Sequence, residues 1–186
     1  MSEALSPKQL ISEAQSAYRR GDYAAAAQSF EAVRQSYLLA GKEILAAEMA
    51  NNVSVALLQN GNPEEALQAV TGTAAVFAAA GDQKRQAMAI GNQAAALEAL
   101  NQLDEAEQLY WQSAEILKNI NETDLRLSAL QSISALQLRT GRQMQALATM
   151  QAGIAGIEKP SLKQRMLKNL LNLPMKMMSA GSETDG

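Results

Sequence analysis

Glycine or asparagine occurs at twenty-residue intervals along most of the chain. The series is Gly21, Gly41, Gly61, Gly81, Asn101, Asn121 and Gly141, and Ser161 continues the spacing. These residue types readily take the left-handed backbone conformation at which helices end. The spacing therefore predicts helices of nearly equal length that pack as a repeat, an architecture that points away from an enzyme.

A column of alanines has twice that period, which indicates that one repeating unit consists of two helices. The alanines lie forty residues apart, at Ala26, Ala66, Ala106 and Ala146. Apolar residues follow one turn later, at Phe30, Val70, Tyr110 and Met150, and again at Tyr37, Phe77, Leu117 and Ile157. A small residue lets a neighbouring helix approach closely, and the larger residue fills the space beside it. Self-similarity at this period is typical of a solenoid.

Residues 21–30 resemble the second half of a tetratricopeptide repeat (TPR). Glycine stands at the turn between helices, followed by Tyr23, Ala26 and Phe30 at the spacing of that family. The segments that begin at Gly61, Asn101 and Gly141 keep the pattern in phase. The resemblance covers residues 7–160. It implies an all-α, right-handed superhelical solenoid of four antiparallel helix hairpins.

The repeat is forty residues long, whereas the usual TPR has about 34. In this respect the chain resembles the longer-repeat subgroup found in cell-polarity and receptor-clustering scaffolds, whose first helices often carry Asn-Leu-Gly. The matching triplets here begin at Asn52 and Asn92. We expect one TPR-like domain over residues 1–178, with repeats at 7–46, 47–86, 87–126 and 127–160. A capping helix is predicted for 161–178 and a disordered tail for 179–186.

The amino-acid composition argues against several classes of function. The chain has no histidine and no cysteine, so the commonest general base and the commonest metal ligands are missing. We therefore expect no catalytic residue, metal, cofactor or small-molecule substrate. A net charge of −3 does not suggest a nucleic-acid partner. No basic and apolar leader and no long apolar run is present, so we expect a cytoplasmic protein.

The resemblance implies that the first helices of the units line a concave groove, which binds a peptide or a helix of a protein partner. The residues that would line it are Lys8, Gln15, Tyr18, Arg19, Glu48, Asn51, Asn52, Val55, Leu58, Met88, Asn92, Glu98, Gln131, Ala135 and Leu138. Amides suit such a groove because each offers a donor and an acceptor to a peptide main chain. Alternatively, Asn52 and Asn92 tie neighbouring helices together.

Two further surfaces are candidates for contact with a partner. Trp111 is the only tryptophan, and its column otherwise contains polar residues, so we expect it to face solvent on the convex side. Alternatively, it lies flat over the aliphatic stems of neighbouring residues. The segment 161–178 carries Lys163, Arg165, Lys168 and Lys176 and no acidic residue. It suits a cap for the solenoid, or else a basic amphipathic helix that contacts a membrane or a partner.

The sequence thus predicts a non-catalytic scaffold or adaptor for protein–protein interaction. Two alternatives stay open. One is a peripheral membrane adaptor that uses the basic segment 161–178. The other is a regulatory subunit of an enzyme assembly, with Trp111 at the contact.

Overall fold

The computed structural model describes residues 6–155, and these residues form a succession of helices joined by tight turns. The helices are α1 Pro7–Arg19, α2 Tyr23–Leu39, α3 Glu43–Gln59, α4 Pro63–Val70, α5 Thr73–Ala79, α6 Gln83–Ala99, α7 Leu103–Asn119, α8 Thr123–Arg139 and α9 Gln143–Ala155. No strand occurs in this part of the chain. The all-α prediction is confirmed, while the predicted cap and tail lie outside the described residues.

Each unit is a hairpin of a first helix and a second helix. The first helices are α1, α3, α6 and α8, and the second helices are α2, the pair α4–α5, α7 and α9. Within each unit the two helices pack on each other, and each second helix also packs on the first helix of the next unit. The chain therefore forms a layered solenoid, in which the first helices share one surface and the second helices share another.

The turns between helices are formed as the twenty-residue spacing predicts. All five glycines of the series have positive φ, and Asn101 and Asn121 take φ values of 61° and 59° in place of glycine. After α1, the N–H groups of Gly21 and Asp22 donate to the carbonyls of Tyr18 and Ala17, both at 3.0 Å. These bonds satisfy carbonyl groups that the helix end would otherwise leave unpaired.

The alanine column lies at the crossing of the two helices in each unit. Ala26, Ala66 and Ala106 are fully buried, and Ala146 is 2% exposed. A second small-residue column faces it from the first helices and is also buried, at Ala14, Ser54, Ala94 and Ser134. The Ser134 hydroxyl donates to the Ala146 carbonyl at 3.0 Å, which places the two columns in contact. Buried small residues therefore recur at forty-residue intervals on both helices of the unit.

The second helix of unit two departs from the prediction of one continuous helix. It is interrupted at Thr71, with φ −58° and ψ 129°, and at Gly72, with φ 84° and ψ −15°. The positions that correspond to Gly72 in α2 and α7 are occupied by Ala32 and Gln112, and those helices are continuous. Gly72 permits the interruption because glycine takes positive φ without a steric penalty.

Asn51 also differs from its predicted place in the groove. Its side chain is buried, and its amide oxygen lies 3.2 Å from the hydroxyl of Thr73, directly after the interruption. A buried amide needs a partner, since an unpaired polar group in the interior is costly. Asn51 therefore fixes α3 against α5 and does not belong to the open surface of the first helices.

Candidate interaction surface

The first helices of units one and two enclose a cleft of about 240 Å³, named cleft one here. It is lined by Gln15, Tyr18, Arg19, Phe30, Asn52 and Val55. All of these except Phe30 belong to the predicted groove. The Phe30 ring comes from α2 and is buried beneath the cleft, where it provides an apolar base. Sequence reasoning placed Phe30 only in the core.

A second cleft of about 300 Å³, named cleft two, lies between α6 and α8. Met88, Asn92 and Ala95 line it from α6, while Ser128 and Ser132 line it from α8. Tyr110 of α7 lies beneath it, as Phe30 lies beneath cleft one. The two aromatic residues are eighty residues apart, which is two repeats. The same structural position therefore carries a cleft in the first and the third unit.

The residue in the aromatic column distinguishes these units from the unit between them. In unit two the column holds Val70, which is buried, and here α3 packs directly on α6. A smaller side chain allows neighbouring helices to lie closer together. The two clefts lie at the positions where this column holds an aromatic ring.

Ion pairs join the first helices on both sides of cleft two. Lys84 of α6 pairs with Glu122, the residue directly before α8, at 2.7 Å, and Glu98 of α6 pairs with Arg139 of α8 at 2.7 Å. The Tyr110 hydroxyl also donates to Glu98, at 3.1 Å. Burial and the negative charge of Glu98 raise the pKa of Tyr110 well above its usual range, so the hydroxyl keeps its proton.

Two amides of the surface make no side-chain hydrogen bond within the described residues. Asn52 and Asn92 are both partly exposed and occupy the same position of successive units. Neither side chain makes a hydrogen bond to any of residues 6–155, in contrast to Asn51. The alternative in which Asn52 and Asn92 tie neighbouring helices therefore finds no support in the described part of the chain. Within the described residues, both amides therefore have their donor and acceptor groups unpaired.

The other predicted groove residues lie on the same helices but line neither cleft. Glu48 forms an ion pair with Arg85 of α6 at 3.3 Å, and so links units two and three. Leu58 is half-buried, whereas Lys8, Gln131, Ala135 and Leu138 are exposed. The sequence analysis did not identify Arg85 and Arg139 as the partners of Glu48 and Glu98. Each arginine stands roughly one repeat after its glutamate, and this spacing of opposite charges could have indicated the pairs.

Trp111 lies on the surface of the second helices and is 43% exposed, as its polar column predicts. Beside it, Glu107 is held by Arg142 and accepts a hydrogen bond from Gln137 at 2.9 Å. Burial alone would raise the pKa of Glu107. The hydrogen bonds from Arg142 and Gln137, the charge of Arg142 and the Trp111 side chain together lower it.

No metal site or membrane span emerges in the described part of the chain. Among residues 6–155, no three histidine, cysteine or acidic side chains are grouped in a way that could hold a metal ion. Nor does any helix there combine the length and apolar character that crossing a bilayer requires. The basic residues Lys163, Arg165, Lys168 and Lys176 lie outside this region.

Two crystal structures share this architecture over nearly the whole chain. Both contain nearly identical TPR-like repeats from a Podosopora anserina protein described as a kinesin light chain, and one of them is a point variant of the other. They superpose with TM-scores of 0.72 and 0.74 at 15% sequence identity, covering 97% of this chain and 93% of theirs. The fold is TPR-like.

At this level of identity, the similarity concerns the TPR-like fold alone. Neither the family models nor the curated proteins give a match to this chain.

Proposed function

We propose that this chain is a non-catalytic interaction module that binds an extended peptide segment of a partner protein across its first helices. The observation that carries the proposal is the pair of amides, Asn52 and Asn92, which have no hydrogen-bond partner within the described residues. Each amide can donate to a carbonyl and accept from an N–H of a peptide main chain. A peptide in an extended conformation has such groups free.

The spacing of the amides suits an extended peptide. Helices that pack directly, as α3 and α6 do, lie about 8–10 Å apart. An extended chain advances about 3.3 Å per residue. Asn52 and Asn92 can therefore contact main-chain groups about three residues apart on one peptide.

The clefts on both sides of this pair would receive side chains of the peptide. Cleft one offers the Phe30 ring with Tyr18 and Arg19 at its edge, and cleft two offers the Tyr110 ring with Met88. An apolar base with a few polar groups at the edge is the usual composition of a binding pocket. The amides would fix the peptide main chain, and the clefts would select among sequences.

The proposal can be tested with a peptide-display library screened against the purified chain. A selected peptide should bind the double variant Asn52→Ala/Asn92→Ala on the order of 30-fold more weakly, since the loss of one hydrogen bond of about 1 kcal/mol at each amide removes about 2 kcal/mol. Gln112→Ala is the matched control, because it removes an exposed amide from α7 on the other surface. Equal affinity of the double variant and the control would refute the proposal.

A further inference from the structure

The surface of the second helices contains an open groove between α2 and the pair α4–α5. It consists of two adjoining clefts, of about 540 Å³ and about 460 Å³. Arg34, Gln68 and Ala69 line both clefts, so the two are continuous, and we name them together the second-helix groove. It shares no lining residue with cleft one or cleft two. The groove is therefore separate from the surface proposed to bind an extended peptide.

The second-helix groove follows one face of α2 and one face of α3. The lining residues are Ala27, Glu31, Arg34 and Leu38 on α2, and Ala46, Ala50, Val53 and Leu57 on α3. Both series have the spacing of residues on one side of a helix. Each extends about 16 Å, since a helix advances 1.5 Å per residue. The groove is therefore about three helical turns long, and its floor on α3 is apolar.

The groove lies at the gap where two facing positions both hold alanine. Ala27 of α2 and Ala69 of α4 line it from opposite sides. One repeat later the same two positions hold Leu67 and Leu109, which are partly buried against the hydrophobic core of α6, α7 and α8. The solenoid therefore accommodates leucine at both positions, and units one and two carry the smaller residue instead.

Exposed aliphatic residues adjoin one end of the groove. Leu38 lines the groove, and Leu39 beside it is 91% exposed. Glu43 belongs both to the groove and to a neighbouring cleft with Ile44 and Leu45, which are also exposed. One repeat after these four aliphatic residues stand Ala78, Ala79, Lys84 and Arg85. A cluster of exposed aliphatic residues is typical of a contact surface.

The unpaired charges that line the groove are both negative. Arg34 pairs with Glu31 at 2.9 Å, so these two charges cancel. Glu43 and Glu65 also line the groove, and neither forms an ion pair with any of residues 6–155. Basic residues beside the apolar contact residues of a partner would complement this charge.

We propose that the second-helix groove binds an amphipathic helix of a partner protein, with lysine or arginine beside its apolar stripe. A helix suits the groove because its main chain is already hydrogen-bonded, and the apolar floor on α3 offers no side-chain donor or acceptor. The alanines of the floor allow a helix to approach closely. The apolar stripe of the partner would cover this floor and continue onto Leu38 and Leu39.

A display library of helical peptides, with an apolar stripe and randomised flanking positions, tests the proposal. Peptides selected on the purified chain should be enriched in lysine and arginine beside the stripe. The double variant Ala27→Leu/Ala69→Leu copies the leucines of the next gap and fills the groove. It should bind these peptides more weakly by a factor on the order of 10 to 100. Ala32→Leu is the matched control, because Ala32 is exposed on α2 and does not line the groove.

Charge reversal provides a second, independent test. Glu43→Lys/Glu65→Lys should weaken binding on the order of tenfold at low ionic strength, and added salt should reduce the difference. Glu64→Lys is the control, since Glu64 is exposed beside Glu65 but does not line the groove. Asn52→Ala/Asn92→Ala should leave the binding of these helical peptides unchanged, which separates this proposal from the proposed function.

The proposal is wrong if the selected peptides bind the filled-groove variant and Ala32→Leu equally well, or if they lack basic residues and ignore charge reversal. Sedimentation velocity on the chain without peptide provides a further check. A dimer that the filled-groove variant abolishes would identify a second copy of this chain as the occupant and would also contradict the proposal. Should the filled-groove variant fail to fold, the charge-reversal result decides.

Discussion

Replacing Ala26 with leucine should destabilise the first unit markedly. Ala26 has no exposed surface and faces Ala14, which is also fully buried. The equivalent contact in unit four is so close that the Ser134 hydroxyl reaches the Ala146 carbonyl at 3.0 Å. Three additional carbon atoms therefore have no space unless the helices separate. Overpacking of this kind costs about 1–3 kcal/mol.

For a domain of this size, that loss corresponds to a decrease in melting temperature of roughly 2 to 12 °C. Ala32→Leu is a matched control on the same helix, because Ala32 is exposed in the middle of α2. An exposed substitution of this type usually changes stability by less than about 0.5 kcal/mol. Thermal and urea unfolding, followed by circular dichroism, would compare the two variants.

Ala106→Leu repeats the test inside the solenoid. Trp111 lies in the same helix and is the only tryptophan, so its fluorescence reports unfolding of unit three directly. If Ala26→Leu and Ala106→Leu melt like Ala32→Leu, the alanine column does not lie at the helix crossing and the packing argument is refuted.

Two further predictions concern acid stability and the C-terminal segment. Because the folded-state pKa of Glu107 is lowered, its stabilising effect is present above its unfolded-state pKa and is lost as the pH falls through the folded value. Chemical unfolding between pH 6 and about 3 should therefore show a smaller acid-dependent loss for Glu107→Gln, and equal slopes would contradict this. A chain that ends at Pro160 should melt lower and self-associate, whereas one that ends at Pro174 should not, because uncapped solenoids expose an apolar end. Sedimentation velocity that finds both truncations monomeric would argue against a cap.

Much of the fold could be predicted from residue spacing, because the positions that define the repeat have strict conformational or steric requirements. Positive φ restricts the turn positions to glycine and asparagine, as at Gly21 and Asn101. Close helix crossings restrict another column to small residues, as at Ala106. Each requirement recurs once per unit, so four agreeing instances fix the register even where a single one would not.

The interruption at Gly72 could not be predicted in this way. A glycine inside a helical pattern is also compatible with a continuous helix, as Gly91 in α6 shows. Asn51 is buried because position 51 faces α5, where Thr73 is its partner, just as Gly91 faces Ser113 of α7. Asn51 and Asn52 are adjacent in the sequence, and only the packing of α5 distinguishes the buried amide from the partly exposed one.

The sequence predicted a groove along the first helices and did not predict separate clefts. Gln15, Tyr18, Asn52 and Val55 were assigned to that groove, and the structure brings them together around cleft one. The pattern did not place Phe30 and Tyr110 among the cleft residues, because the distance between helices in three dimensions is not encoded in the linear sequence.

The proposed function requires that a peptide binds across the first helices through the side-chain amides of Asn52 and Asn92. The most direct measurement is the ¹H–¹⁵N spectrum of the chain labelled at asparagine side chains and at the Trp111 indole, titrated with a library-selected peptide. We predict that the side-chain signals of Asn52 and Asn92 shift on binding, while those of the buried Asn51 and of Trp111 on the opposite surface stay in place. A peptide that shifts the Trp111 signal and leaves Asn52 and Asn92 unchanged would contradict the claim.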